Sequence, residues 1–139
     1  MTQPETLPTS LPMGQERHVC VCARDRWNRT FVQVGPGEQY RLDVIPPDQI
    51  WTDWWEPSTA AGFSRPRLRV FERWRRVPDA NWFALIGSVG QTLAGAFLIG
   101  TGASVTVATA GELHCFANDI SWMYWNNKGS LVLTIRRLA

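Results

Sequence analysis

The chain has 139 residues, of which 45 % are apolar, with eight tryptophans and a formal net charge of +2; this is the profile of one ordered globular domain with a sizeable core. So small a charge excludes a nucleic-acid binder driven by bulk electrostatics. Residues 80–111 carry no charge, yet Gly87, Gly90, Gly95, Gly100 and Gly102 interrupt them. A membrane-spanning helix needs about twenty predominantly apolar residues in a row, so no membrane span is expected and the run reads instead as short buried strands.

Residues 1–16 are rich in Pro, Thr and Ser, and their isolated Leu7 and Leu11 follow no helix or strand period, so they read as a flexible tail. No basic start with an apolar stretch behind it marks a conventional secretion signal, which points to a cytoplasmic protein or one exported by another route. Residues 17–139 then form a single β-sandwich domain. The first strand, residues 18–23, alternates β-branched residues with Cys20 and Cys22. Both thiols point to one face, which places them badly for bridging each other. With Cys115 they read as small residues kept reduced.

Residues 30–34 form the second strand and end at the turn Gly35-Pro36-Gly37. Residues 38–45 place Tyr40, Leu42 and Val44 on one face, the pattern of a half-buried strand. A tryptophan-rich loop follows over residues 50–57, and residues 58–62 are a small-residue linker. Between 65 and 76 six arginines face one acid, Glu72. Arg67, Arg69 and Phe71 alternate with Leu68, Val70 and Glu72, which suits an exposed edge strand whose charge discourages pairing. A role for this strip towards an acidic glycan or a phosphate-bearing partner is the alternative.

Residues 82–87, 96–99, 104–109, 113–117 and 131–137 supply further short strands divided by glycine turns. Roughly eight or nine strands with turns every 8–12 residues make an all-β sandwich, and no helix is expected. The usual catalytic constellations do not assemble. His18 and His114 each sit in a strand, and no nucleophile elbow, phosphate loop or zinc spacing is present. No catalytic residue is assigned. Asp53, Glu56 and Asp119 are the carboxylates from which a glycosidase pair would have to come.

The stretch from Asn118 to Ser130 stands apart. Asp119, Asn126 and Asn127 offer side-chain oxygens, hard ligands of the kind Ca²⁺ takes, among Trp122, Tyr124 and Trp125. It lacks the acid spacing of an EF-hand, and Asn and Asp also bond their own backbone in tight loops, so an Asx-rich turn and a calcium site both fit.

From Pro78 onward the chain resembles the bacterial galactophilic lectin family. Pro78-Asp79-Ala80-x-Trp82-x-Ala84-Leu85-Ile86-Gly87-x-x-Gly90 is similar to its Asp-Ala strand and Ile-Gly turn. Asn118-Asp119-x-x-x-x-Tyr124-x-Asn126-Asn127-x-Gly129-Ser130 is similar to its hallmark loop. Gly35-Pro36-Gly37-Glu38 and Ile50-Trp51-Thr52-Asp53-Trp54 resemble two further elements.

The resemblance implies a jelly-roll-like β-sandwich of galactose-binding type with Ca²⁺ at one end. It implies side-chain oxygens from Asp119, Asn126 and Asn127, and backbone carbonyls from Met123 and Trp54. Two sugar hydroxyls would complete the shell, with Asp119 and Asn126 also bonding them. The expected function is therefore calcium-dependent binding of a galactoside-like carbohydrate, without catalysis.

Two departures bear on the sugar. Trp122 and Trp125 stand where the family has small residues, and either stack on a sugar face or fill the pocket. The family's His-Pro-x-Gln element has no clear match between Trp55 and Pro78, so galactose preference is not carried over. A module with the pocket filled would serve a protein partner or self-assembly, and homo-oligomerisation is left open.

Overall fold

The computed structural model describes residues 6–139. In chain order its strands are β1 (Thr9–Ser10), β2 (Glu16–Cys22), β3 (Asn28–Val34), β4 (Gln39–Val44), β5 (Trp51–Asp53) and β6 (Glu56–Ser58). After a 3₁₀ helix over Pro66–Trp74 come β7 (Leu85–Val89), β8 (Phe97–Leu98), β9 (Gly102–Thr106) and β10 (Gly111–Ala117). A short 3₁₀ turn, Tyr124–Asn126, leads into β11 (Asn127–Lys128) and β12 (Ser130–Arg137).

Two sheets face each other, one ordered β1-β3-β10-β7-β8 and the other β2-β12-β4-β9, with a small third sheet β11-β5-β6. The expected all-β sandwich is what the chain forms. Its main core follows from period-two alternation. Tyr40, Leu42 and Val44 of β4 and Leu131, Leu133 and Ile135 of β12 meet Val32 and Val34 of β3 and Leu113 and Cys115 of β10. Strands β7 and β10 are buried on both faces, because Ile86 and Phe116 join a second cluster with Ala80 and Ala84. That double burial is why this region reads as a continuous apolar run rather than an alternating one.

Two expectations need correction. Residues 1–5 of the expected tail lie outside the described residues, but beyond them the segment joins the fold. Thr9 and Ser10 pair in parallel with Val32 and Gln33, and Leu11 is buried in the main core. A two-residue strand is too short to show a period, so the sequence carried no sign of it.

The arginine strip is not an edge strand; Pro66–Trp74 is a 3₁₀ helix. Pro66 opens it, where a missing N–H costs nothing. Leu68, Phe71 and Trp74 recur at three-residue spacing, the 3₁₀ period. Over so short a stretch Leu68 and Val70 also satisfied a two-residue period, and Val70 is in fact exposed. The tryptophan-rich stretch is likewise ordered, as the β5–β6 hairpin closed by Trp54-Trp55.

Candidate functional site

The site is assembled where β10 ends. Asn118 is fully buried, and its side-chain amide donates to the carbonyls of Val77 (2.8 Å), Ala80 (3.1 Å) and Asn81 (3.0 Å). Its Oδ1 accepts the Val77 N–H at 3.0 Å. One side chain thereby fastens the start of the loop to residues 77–81. The Arg76 N–H donates to the Asp119 carbonyl at 3.1 Å and continues the seam.

Below the loop the Arg76 guanidinium lies 3.7 Å from the Phe116 ring centroid and 4.3 Å from that of Trp27. It donates to the Tyr124 hydroxyl at 2.8 Å, and that hydroxyl donates onward to the Ala117 carbonyl. A buried cation is tolerable on such terms, with aromatic faces around it and acceptors at its N–H groups. At the far end Gly129 turns the chain at φ 87°, and a Cβ there would stand 3.2 Å from the Trp51 Cα. The Lys-Gly-Ser closure needs glycine on both counts.

This frame holds three buried side-chain oxygens that find no hydrogen-bond donor among the described residues: Asp119 Oδ2, Asn126 Oδ1 and Asn127 Oδ1. Asp119 Oδ1 accepts the Ile120 N–H at 2.7 Å, which leaves Oδ2 as the free atom. Asn127 is oriented by its amide, which donates to the Ala23 carbonyl at 3.0 Å. Buried polar atoms in folded proteins are nearly always paired, because stripping water from one without replacement costs about 1–3 kcal/mol. Three acceptors without a hydrogen-bond partner thus lie in one loop, and such atoms could hold a cation. An all-oxygen donor set suits a hard cation such as Ca²⁺.

Asp53 completes the picture. Strand β11 pairs with β5 so that Asn127 lies opposite Asp53. Burial, and next the negative charge of Asp53, push the Asp119 carboxyl up to about 7. Burial, with a smaller contribution from Glu56, pushes Asp53 up to about 6. Two like charges near each other resist ionising, and the Ile120 N–H, the Asn127 side chain and the Arg76 guanidinium only partly offset this at Asp119. Trp54, next in the chain, takes φ 57° and donates its N–H to the Asn126 carbonyl at 3.1 Å. A positive φ on a bulky residue is a strained conformation, and here it holds the hairpin turn against the loop.

These groups open onto a cleft of about 360 Å³ lined by Asp53, Trp54, Asp119, Trp122, Met123 and Asn126, and on its apolar side by residues of the 3₁₀ helix and Trp82. Of the residues singled out in the sequence, Asp119, Asn126, Met123, Trp54 and Trp122 therefore meet there, with Asn127 beside them in the loop. Trp125 is not part of the lining. Both Trp122 (66 % exposed) and Trp125 (65 %) stand in solvent, so neither indole fills the cleft. Sequence reasoning did not identify Leu68, Phe71 and Trp74 as lining residues; their three-residue spacing was the available signal.

The histidines are accounted for within their strands. His18 Nδ1 is 3.0 Å from the Thr134 hydroxyl, and His114 Nδ1 is 3.0 Å from the Glu112 carbonyl. The three cysteines are unbridged.

The architecture is a β-sandwich of two main sheets. Among solved structures the chain is similar to the N-terminal domain of EclA, described as a PllA-like lectin, with a TM-score of 0.63 and 16 % identity over 86 % of this chain and 94 % of that one. At that identity the likeness establishes the fold. No protein-family model and no curated relative matches the sequence.

Proposed function

We propose that this sandwich is a calcium-dependent carbohydrate-binding domain. The observation that carries the reading is the set of orphaned oxygens on Asp119, Asn126 and Asn127. These three side chains would hold Ca²⁺ together with the carbonyls of Met123 and Trp54. Five protein oxygens leave room in a shell of six to eight for two hydroxyls of a sugar. The ion would supply electrostatic attraction for a hydroxyl pair in a site screened from water. Asp119 and Asn126 would bond the same hydroxyls, and Trp122, exposed at the edge of the cleft, would offer a face to sugar C–H groups.

Support for the sugar comes from the lectin-type fold, the open cleft beside the oxygens and the resemblance of the loop to the galactophilic lectins. Galactosides therefore head the panel of ligands to try. A glycan array probed in calcium and again in chelator tests the reading. Signal in calcium that chelator removes is the expected result, and silence in both conditions rules out the lectin while leaving the fold.

A second reading has one observation in its favour. Asp53 and Asp119 do converge on one cleft, and the raised value of Asp119 suits the general acid of a glycosidase, whose partner carboxylate has to be ionised. Release of nitrophenol from chromogenic glycosides, lost in Asp53→Asn, would establish it. The calcium reading accounts for more, because a carboxyl pair leaves the Asn126 and Asn127 oxygens unexplained.

A further inference from the structure

The end of the sandwich that holds the cleft also carries an exposed aromatic rim. Trp54, Phe71, Trp74 and Trp122 all border the opening, and Trp55 stacks on Trp54 with ring centroids 3.8 Å apart. These five side chains are 40–67 % exposed. The 3₁₀ helix Pro66–Trp74 contributes no buried residue, so Phe71 and Trp74 add nothing to the core. Single exposed apolar side chains are ordinary on a protein surface, but five large rings round one opening mark a face that meets a partner.

Charge accompanies the rings. Arg67, Arg69 and Arg73 are exposed on the same helix, and none has an acidic partner among the described residues. Glu72, the one acid of the helix, reaches instead towards Arg75 at 4.0 Å. The Arg73 guanidinium lies 5.2 Å from the Trp74 ring centroid, so cation and indole share one patch.

Aromatic rings edged by unpaired cations match the chemistry of an anionic bilayer interface. Tryptophan settles at headgroup depth, because its ring is apolar and its N–H finds acceptors there. Arginine is drawn to the negative surface of the same layer. A nucleic acid would answer the arginines, but a formal net charge of +2 is small for binding driven by phosphate contacts. An acidic protein would answer them too, yet it would need a matching pocket for each projecting ring. A fluid lipid surface accommodates the rings in whatever arrangement the fold presents.

We infer that this rim docks the domain peripherally on an anionic lipid surface. The rings of Trp54, Trp55, Phe71, Trp74 and Trp122 enter the headgroup region, and Arg67, Arg69 and Arg73 meet lipid phosphates. Among the described residues no helix is long and apolar enough to cross a membrane, and docking of this kind requires none. The inference uses neither the calcium nor the carbohydrate reading.

The test is co-sedimentation of the full chain with vesicles of phosphatidylcholine alone and of an equimolar mixture with phosphatidylserine, in chelator and free of glycolipid. The protein should pellet with the anionic vesicles, shift its tryptophan emission to the blue on binding, and be released by salt. The double change Arg67→Ala and Arg69→Ala should weaken binding at least about tenfold, since each basic residue near such a surface contributes about fivefold. Trp55→Ser, outside the proposed calcium and sugar ligands, should weaken binding and lessen the emission shift. Both changes fall at exposed positions, and an unchanged melting temperature certifies the fold of each variant.

No pelleting with anionic vesicles, equal pelleting with both compositions, or binding that survives the arginine change overturns the inference. So does binding without an emission shift together with equal affinity for heparin, which assigns the arginines to a soluble polyanion. Each of these outcomes leaves the calcium and carbohydrate readings standing, because every measurement is made without calcium or sugar.

Discussion

Asn127 donates its amide hydrogen to the Ala23 carbonyl at 3.0 Å, and that bond fixes which end of its amide is free. The Oδ1 that remains is buried and has no donor, as are Asp119 Oδ2 and Asn126 Oδ1. An ordinary Asx turn would satisfy these oxygens with its own backbone N–H groups. Only Asp119 does so, and with one oxygen of its two. The loop is therefore incomplete as a turn, and the cation proposed above would supply the missing partner.

The frame under the loop gives a first prediction. Asn118→Ala removes three donated bonds and one accepted bond, leaving the carbonyls of Val77, Ala80 and Asn81 without that donor. Buried groups left unsatisfied put the cost at about 3 kcal/mol or more. Urea unfolding monitored by tryptophan fluorescence should show the midpoint fall with its slope preserved. An unchanged midpoint would mean that the residues 77–81 connection is held elsewhere.

A second prediction follows from the paired carboxyls. Asp119 has a folded-state value of about 7 and Asp53 of about 6, against ordinary values of 3.8. The metal-free folded protein then holds protons that the unfolded chain has released, so its stability falls as pH rises from about 4 through 7 and levels off above. Chelator-stripped protein should melt at a lower temperature at pH 7.5 than at pH 5. Asp119→Asn should flatten that dependence and raise the metal-free melting temperature at pH 7.5, while removing any stabilisation by calcium. A melting temperature that climbs between pH 5 and 7.5 in the stripped wild type contradicts the assignment.

Trp54 separates a backbone role from a side-chain role. A carbonyl ligand is indifferent to the side chain attached, and Gly adopts φ 57° without the strain a tryptophan bears, about 1 kcal/mol or more. Trp54→Gly should therefore keep calcium affinity within about threefold, a margin of well under 1 kcal/mol. Asn126→Ala, which deletes a ligand oxygen, should lose at least about tenfold, or about 1.4 kcal/mol. Comparable losses in both variants would move the role of Trp54 from its carbonyl to its indole.

Much of this was readable in the chain because the relevant residues lie close together in it. Asp119, Asn126 and Asn127 fall within nine consecutive positions, and the alternation of Tyr40, Leu42 and Val44 with their neighbours marks a strand facing a core. Asp53 was legible only as a stray carboxylate, since its approach to Asp119 depends on β5 pairing with β11, a contact across more than seventy residues. Over residues 66–74 a two-residue and a three-residue period coincide, so the row Leu68, Phe71 and Trp74 does not stand out in sequence from an alternating strand of arginines. Trp125 goes with Trp122 in the sequence because both stand where the resembled family has small residues; the 3₁₀ turn at Tyr124–Asn126 buries Tyr124 and Asn126 and leaves the Trp125 indole in solvent, outside the cleft.

The central claim is that Asp119, Asn126 and Asn127 hold a calcium ion. Calorimetric titration of Ca²⁺ into chelator-stripped protein at pH 7.5 tests it most directly. The account predicts a single binding event at one ion per chain, absent in Asp119→Ala, and a melting temperature raised by calcium in the wild type alone. At a hundredfold excess over Kd that stabilisation is about 2.7 kcal/mol. No calcium heat in a folded wild-type protein, or equal heat in the variant, would contradict it.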